Sequence, residues 1–96
     1  MLGGAVARLF PLGDVVGTPG ALRALAAAGT SPWAFLVRHM HGDWEDLDEH
    51  DCSENTLALV RGGRLFSAYN VGEHLRVWVI TEADRSATTI LLPEEY

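Results

Sequence analysis

Leu75-Arg-Val-Trp-Val-Ile80 and Ala87-Thr-Thr-Ile-Leu-Leu92 are two apolar, β-rich segments, joined by the polar link Thr81-Glu-Ala-Asp-Arg-Ser86. β-Branched and aromatic side chains favour a pleated, half-buried surface, whereas a polar link must reach water. The pattern therefore predicts strand, turn and strand. The link carries two hydroxyls, two carboxylates and a guanidinium, more functional groups than a turn requires, which makes it the first place to look for function.

A further strand is predicted upstream of this pair. Residues 64–69 read Arg-Leu-Phe-Ser-Ala-Tyr and follow a Gly-Gly pair, which is typical of a helix end. Residues 70–74 then form a hairpin connection. Three consecutive strands indicate an antiparallel meander. Residues 1–16 add either an edge strand or an extended arm.

Helical signals fill the chain before these strands. Thr18-Pro19 and Ser31-Pro32 each combine an N-cap hydroxyl with proline at the first helical position. Asp51 and Glu54 have the spacing of a capping box, which predicts a third helix over residues 52–61. The side chains expected to face the core are Leu22, Leu25 and Ala26 in the first helix, Trp33, Leu36, Val37 and Met40 in the second, and Leu57 and Val60 in the third.

These elements predict the α+β class: two to three N-terminal helices packed on one face of a small three- to four-stranded antiparallel sheet. A chain of 96 residues is the size of one domain, so we expect residues 1–96 to fold as a single unit. The single cysteine, Cys52, excludes an internal disulfide and fits a reducing cytosol. No apolar run approaches the length of a bilayer span, so we expect a cytoplasmic protein without membrane contact.

The charge balance points away from nucleic acid as a direct partner. Thirteen acids stand against seven arginines, there is no lysine, and the net charge is −6. Domains that bind a phosphate backbone usually concentrate Lys and Arg to neutralise it. We therefore expect no direct contact with a nucleic-acid backbone.

Seven of the thirteen acids lie in residues 43–54. Such a segment could mimic a phosphate backbone and occupy a basic groove on a partner protein, or chelate a hard cation, although the usual calcium-loop pattern is absent. It could equally be a solvated link whose acids favour the start of the third helix. Trp44 would be either a lid on the domain or an exposed anchor. The candidate binding residues are Asp43, Trp44, Glu45, Asp46, Asp48 and Glu49.

His39, His41 and Asp43 form an H-x-H-x-D pattern at the end of the second helix. Two imidazoles and a carboxylate can bind Zn²⁺ or Fe²⁺, but positions i and i+2 of a helix point about 200° apart. We therefore predict no metal and no cofactor. His41, in a Gly-flanked loop, is the best candidate for a general acid or base.

A catalytic alternative uses His41 with Arg64, Thr81 and Arg85. Metal-independent ribonucleolysis requires an acid and a base, with cations on the scissile phosphate. Strand alternation argues against full convergence of such a set, since neighbouring strand residues point to opposite faces. The structural alternative is that Asp84 accepts hydrogen bonds from turn amides, while Arg85 clamps the turn to the helical layer.

Four segments of the chain carry a resemblance to a known family: His39-x-x-Gly-Asp-Trp44, Asn55, Gly63-Arg-Leu-Phe-Ser-Ala-Tyr69, and residues 78–96. They resemble small bacterial proteins carried on plasmids and integrative elements, labelled "plasmid-related protein" and sometimes type I restriction endonuclease subunit M. The chain has neither a glycine-rich cofactor loop nor the N/D-P-P-Y motif of a methylase. The resemblance therefore implies a genomic setting and no chemistry.

The leading hypothesis is an acidic accessory protein of a bacterial mobile element that binds a protein partner. One version is a counter-defence inhibitor of a nucleic-acid-handling complex. The alternative is a small metal-independent nuclease or nucleotide-acting enzyme, in which Arg64 or Arg85 holds phosphate near His41. A concave site that holds the catalytic set together would favour the enzyme; scattered residues and a convex acidic face would favour binding.

Overall fold

Four strands form one sheet in the computed structural model of the chain, which describes residues 8–44 and 47–96. The elements are β1 (Asp14–Gly17), α1 (Pro19–Ala27), α2 (Pro32–Met40), α3 (Glu49–Arg61), β2 (Leu65–Val71), β3 (Leu75–Thr81), β4 (Ala87–Leu91) and a 3₁₀ turn (Pro93–Glu95). The strand order is β1-β4-β3-β2. Three helices with one sheet confirm the predicted α+β class.

The sheet is mixed, which corrects the expectation of a purely antiparallel one. β2, β3 and β4 form the predicted antiparallel meander, but β1 pairs with β4 in parallel, with Asp14 opposite Ala87. A hairpin forces its two strands to run antiparallel, whereas β1 and β4 are separated by all three helices. No short connection therefore constrains the direction of β1.

One face of the sheet is covered by the helices. α1 packs on β4, α2 packs on β2 and β3, and α3 packs on β2. The alternate strand residues that point toward them are fully buried, as are inward side chains of α1 and α2. This core includes Leu25, Leu36, Leu65, Tyr69, Val77, Val79 and Ile90.

The helix ends follow the predicted chemistry, with one shift. The side chains of Thr18 and Ser31 accept the amide hydrogens of Ala21 and Trp33, each at 3.2 Å, and cap α1 and α2. The cap of α3 is Asp48, which accepts from the Asp51 amide at 2.9 Å. α3 therefore begins three residues earlier than predicted.

The predicted inward faces of the helices are partly wrong. Trp33 is 55% exposed and Val60 is 81% exposed, although both belonged to the expected core stripes, as did the exposed Leu22, Ala26, Val37 and Leu57. α2 instead buries Phe35, Leu36 and His39, and α3 buries Asn55 and Ala58. In α2 and α3 the reason is that the inward face includes a polar residue, His39 or Asn55, that an apolar periodicity does not count.

The segment before α1 docks first as an arm and then as a strand. Phe10 and Leu12 are buried in the core, and the Leu9 amide donates to the Met40 carbonyl at 2.8 Å. Asp14–Gly17 then completes the sheet edge, so the described part of residues 1–16 has both features that the sequence offered. Within the described ranges, no helix is both long enough and apolar enough to cross a membrane.

Candidate functional site

A fully buried polar network runs through the interface between the helices and the sheet. His39, on the inner face of α2, contacts Ser67 of β2 through Nδ1 at 2.5 Å and Thr81 of β3 through Nε2 at 2.9 Å. Thr81 contacts Thr88 of β4 at 2.7 Å, and the Thr88 hydroxyl donates to the Leu12 carbonyl at 2.7 Å. The network therefore links one helix, three strands and the N-terminal arm.

The order of donors in this network is fixed by its end. The Leu12 carbonyl can only accept, so Thr88 uses its single hydroxyl hydrogen there and must accept from Thr81. Thr81 must then accept from His39, so Nε2 carries the imidazole hydrogen. Nδ1 is left as an acceptor for the Ser67 hydroxyl. His39 is thus held in one tautomer, and every member is satisfied.

Burial keeps this imidazole neutral. Desolvation lowers the pKa of His39 from 6.5 to about 4, because a charged ring would lose its hydration without gaining an opposite charge. The Ser67–His39 pair has the residue types of a nucleophile and its base, but Ser67, Thr81 and His39 expose no surface to solvent. The network therefore acts as a crosslink in the core.

Arg85 reaches from the β3–β4 turn to the end of α3. Nη1 donates to the carbonyls of Gly63 at 2.6 Å, Glu82 at 3.1 Å and Ala83 at 3.1 Å, and Nη2 donates to Ala58 at 3.1 Å. The Ala58 carbonyl also accepts the amide hydrogens of Gly62 at 2.9 Å and Gly63 at 3.2 Å, and a cation at this end of a helix is favoured by the helix dipole. This geometry confirms the predicted orientation of Arg85 toward the helical layer.

The turn itself supports this clamp. The Asp84 carboxylate accepts the Ser86 amide hydrogen at 3.0 Å, as predicted, and its hydrogen bonds to Ser86 lower the pKa of Asp84. Arg85 has a φ of 62°, in the left-handed region that costs a residue with a Cβ about 1 kcal/mol or more. The contacts of the guanidinium offset that cost.

We expect Arg85→Ala to lower the free energy of unfolding by about 2 kcal/mol, because it removes a charged donor from carbonyls of α3 and the following loop. In a domain of this size the loss corresponds to a fall in Tm of roughly 10 °C, measurable by thermal denaturation. Arg85→Lys should not restore the stability, since an ammonium cannot reproduce the planar fork.

Arg85→Gly is the matched control for the backbone. Glycine also removes the guanidinium but adopts φ of 62° without strain, so it should be more stable than the alanine variant by roughly 1 kcal/mol. If Arg85→Ala left Tm within a degree of the wild type, the clamp would be excluded and a functional role for Arg85 would gain support.

The structure brings together two of the four residues of the catalytic alternative, because Arg64 and Arg85 both contact Glu82. Thr81 is buried in the His39 network and Arg85 binds backbone carbonyls, whereas Arg64 lines the opposite face of the sheet. His41, the C-cap of α2, directs Nδ1 to the Val37 carbonyl at 2.9 Å. The geometry does not bring these groups to one cleft.

The acidic segment divides into structural and exposed residues. Arg38 donates from Nε to the Asp43 carboxylate at 2.6 Å, and Asp48 caps α3. Trp44 is a lid on the domain: it is buried, and Nε1 donates to the His39 carbonyl at 3.3 Å. Glu49 is exposed. The remaining candidates, Glu45 and Asp46, lie outside the described residues.

The outer face of α3 combines charge with exposed apolar groups, which the sequence prediction missed. Glu49, Ser53, Leu57 and Val60 occupy positions i, i+4, i+8 and i+11, which fall on one side of a helix, and all four are exposed. Glu54 is exposed at the border of this side, one turn before Leu57. The signal was present as a helical period, but the apolar members were assigned to the core.

A cavity on the sheet face away from the helices was also missed. Its volume is about 260 Å³, and it is lined by Arg64, Phe66, Trp78, Ile80 and Tyr96. The Phe66 and Trp78 ring centroids lie 5.1 Å apart at 88°, and those of Trp78 and Tyr96 lie 5.6 Å apart at 67°. The signal in the sequence was strand alternation, which places the even-numbered residues of β2 and β3 on one face of the sheet.

Two members of the H-x-H-x-D pattern, His39 and Asp43, make other contacts in the structure. Both ring nitrogens of His39 are hydrogen-bonded inside the core, and Asp43 pairs with Arg38. Across residues 8–44 and 47–96, no group of three or more His, Cys, Asp or Glu side chains is placed to hold a metal ion.

No protein-family model, curated protein or solved structure matches the chain.

Proposed function

We propose that this protein is a non-catalytic interaction module that binds a protein partner through the outer face of α3. The "α3 surface" comprises Glu49, Glu54, Leu57 and Val60. Its support is the exposure of Val60, at 81%, on the same helix face as Glu49. An apolar side chain that leaves most of its surface exposed is suited to pack on another protein.

Charge and apolar area would have different tasks on this surface. The acids lie at the start of α3, and the net charge of −6 extends their field, so a basic partner would be attracted during encounter. Leu57 and Val60 lie toward the end of the helix and would supply the short-range contact. The partner expected from this arrangement presents a basic patch beside an apolar one.

Binding is better supported than the nuclease alternative. That alternative needs His41, Arg64, Thr81 and Arg85 around one phosphate. Arg64 and Arg85 both contact Glu82, but the Arg85 guanidinium is bound to backbone carbonyls and His41 contacts the Val37 carbonyl at the end of α2. Thr81 in particular has no surface that a substrate could reach. The resemblance to plasmid-related proteins suggests a partner encoded by the host or by the mobile element, including the basic groove of a nucleic-acid-handling complex.

The test is affinity capture from the native host, followed by binding measurements with the partner identified. Val60→Ser should weaken binding by roughly tenfold or more if this residue is an apolar anchor. Glu49→Gln with Glu54→Gln should weaken binding and flatten its dependence on salt, because fewer charges would then steer the encounter.

Matched controls come from other exposed positions of the chain. Val37→Ser changes a half-exposed apolar residue on α2, and Glu73→Gln removes an exposed charge in the β2–β3 hairpin. Both should bind as the wild type does. Equal affinity for the wild type, Val60→Ser and the double amide variant would refute the α3 surface as the contact.

A further inference from the structure

We propose that the cavity on the open sheet face binds a planar aromatic molecule carrying a single carboxylate. The aromatic walls of this site lie apart from the α3 surface, because Phe66, Trp78 and Ile80 point away from the helical layer. Arg64 lies at the border, since it also lines a pocket with Glu54 and Leu57. The site would give the protein a small-molecule ligand in addition to a protein partner.

The shape of the cavity favours a flat ring. Phe66 and Trp78 stand nearly perpendicular to each other, and Tyr96 adds a third ring beside Trp78. Aromatic rings prefer offset-stacked and edge-to-face contacts, both of which such walls offer to an inserted ring. Pockets for drug-sized ligands begin at about 300 Å³, and this cavity is slightly smaller, at about 260 Å³. It therefore suits a small molecule of one or two rings.

The charge of the cavity favours an anion. Arg64 donates from Nη1 to the Tyr96 hydroxyl at 3.1 Å, and its Nε lies 3.7 Å from the Glu82 carboxylate. Among the described residues, Nη2 has no hydrogen-bond partner, so its donors are available at the rim. A guanidinium matches the plane and spacing of a carboxylate.

A single negative charge fits better than a phosphate ester. Glu82 lies beside Arg64, and the whole chain carries a net charge of −6, so a group with two charges would be repelled more strongly. A ring that carried a positive charge would be repelled by the Arg64 guanidinium. The carboxylate on an apolar ring is the class that satisfies both the lining and the charge.

The wall formed by Tyr96 is already held in place. The Tyr96 amide donates to the Pro93 carbonyl at 3.2 Å, and the Glu95 carboxylate accepts the Leu92 amide hydrogen at 2.8 Å. The Thr18 hydroxyl also donates to Glu95, which ties the 3₁₀ turn to the start of α1. A ligand would therefore enter a largely formed site, which reduces the entropy cost of binding.

The experiment is an NMR titration of the full chain with naphthoate and, as its neutral counterpart, naphthamide. We expect naphthoate to shift the resonances of Phe66, Trp78 and Tyr96 with a Kd in the high-micromolar to low-millimolar range, about what a ligand of this size achieves. Naphthamide should bind roughly tenfold more weakly, because it lacks the charge-assisted contact to Arg64.

Two arginine variants separate this site from general attraction of an anion. Arg64→Gln should reduce the affinity for naphthoate to that for naphthamide. Arg76→Gln is the matched control, because Arg76 is an exposed arginine on the same face of β3 that contacts Asn70 and does not line the cavity. It should bind naphthoate as the wild type does. Tyr96→Ala, at an exposed position, should weaken both probes.

Several results would overturn the proposal. Equal affinities of the wild type for the two probes would remove the anion contact, and an equal loss in Arg64→Gln and Arg76→Gln would indicate non-specific attraction. The absence of a saturable shift would exclude the ligand class. Shifts of the cavity resonances with protein concentration alone would indicate that a second copy of the chain occupies this face.

Discussion

Leu36→Ala is expected to lower the free energy of unfolding by roughly 2–5 kcal/mol, whereas Val37→Ala should change it by less than about 0.5 kcal/mol. The two residues are adjacent on α2, but Leu36 is 1% exposed and Val37 is 42% exposed. Truncating a buried leucine removes apolar contacts and leaves a cavity. Truncating an exposed valine removes mostly surface that is already in contact with water, so little buried apolar area is lost.

Denaturant unfolding of both variants measures this difference, since the two positions are adjacent in one helix and differ in burial. A loss below about 0.5 kcal/mol for Leu36→Ala would mean that the inner face of α2 is assigned incorrectly. A loss for Val37→Ala as large as that for Leu36→Ala would show that Val37 is covered, for example by a partner or a second copy.

The same pair shows how far sequence periodicity reaches. Caps, turns and the β-branched segments predicted the existence and type of α1, α2 and β2 to β4, because these signals are local. The inward face of each helix depends on what it packs against. α2 turns His39 inward because Ser67 and Thr81 satisfy the imidazole, and α3 turns Asn55 inward because its amide pairs with the Phe66 backbone at the edge of β2.

The candidate sites divide in the same way. The roles of Asp84 and Arg85 in the turn were predictable, since an aspartate that bonds its own turn leaves the next side chain free to reach elsewhere. The direction of β1 was not, because parallel pairing to β4 is a contact between distant parts of the chain. The cavity beside Arg64 likewise needs Tyr96 to fold back over β3, which no short pattern specifies.

Acid is expected to destabilise the fold in a window set by His39, by a total of about 3 kcal/mol. The pKa of His39 is lowered from 6.5 to about 4 by burial, so between these values the unfolded chain binds a proton that the folded protein does not. The contribution of the neutral imidazole to the free energy of unfolding is therefore fully present above pH 6.5 and is lost progressively as the pH falls to about 4. Below that pH the folded imidazole is also protonated, and this contribution changes no further.

Denaturant unfolding at a series of pH values measures the slope, and an NMR titration of the folded protein gives the pKa of the imidazole and its tautomer directly. We expect a pKa near 4 with the hydrogen on Nε2, as the donor order from Leu12 to His39 requires. Asp84 and Glu95 also have lowered pKa values, but their titration adds acid sensitivity only in the more acidic range of carboxylates.

His74→Gln is the matched control for replacing a histidine, because His74 is exposed in the β2–β3 hairpin. His39→Gln should remove most of the slope between pH 6.5 and about 4 if the variant folds. The NMR titration needs no substitution at His39. A pKa near 6.5 for the imidazole in the folded protein would contradict its burial, because a charged ring in the core would have neither water nor an acidic partner beside it. A hydrogen on Nδ1 would contradict the order of donors in the network.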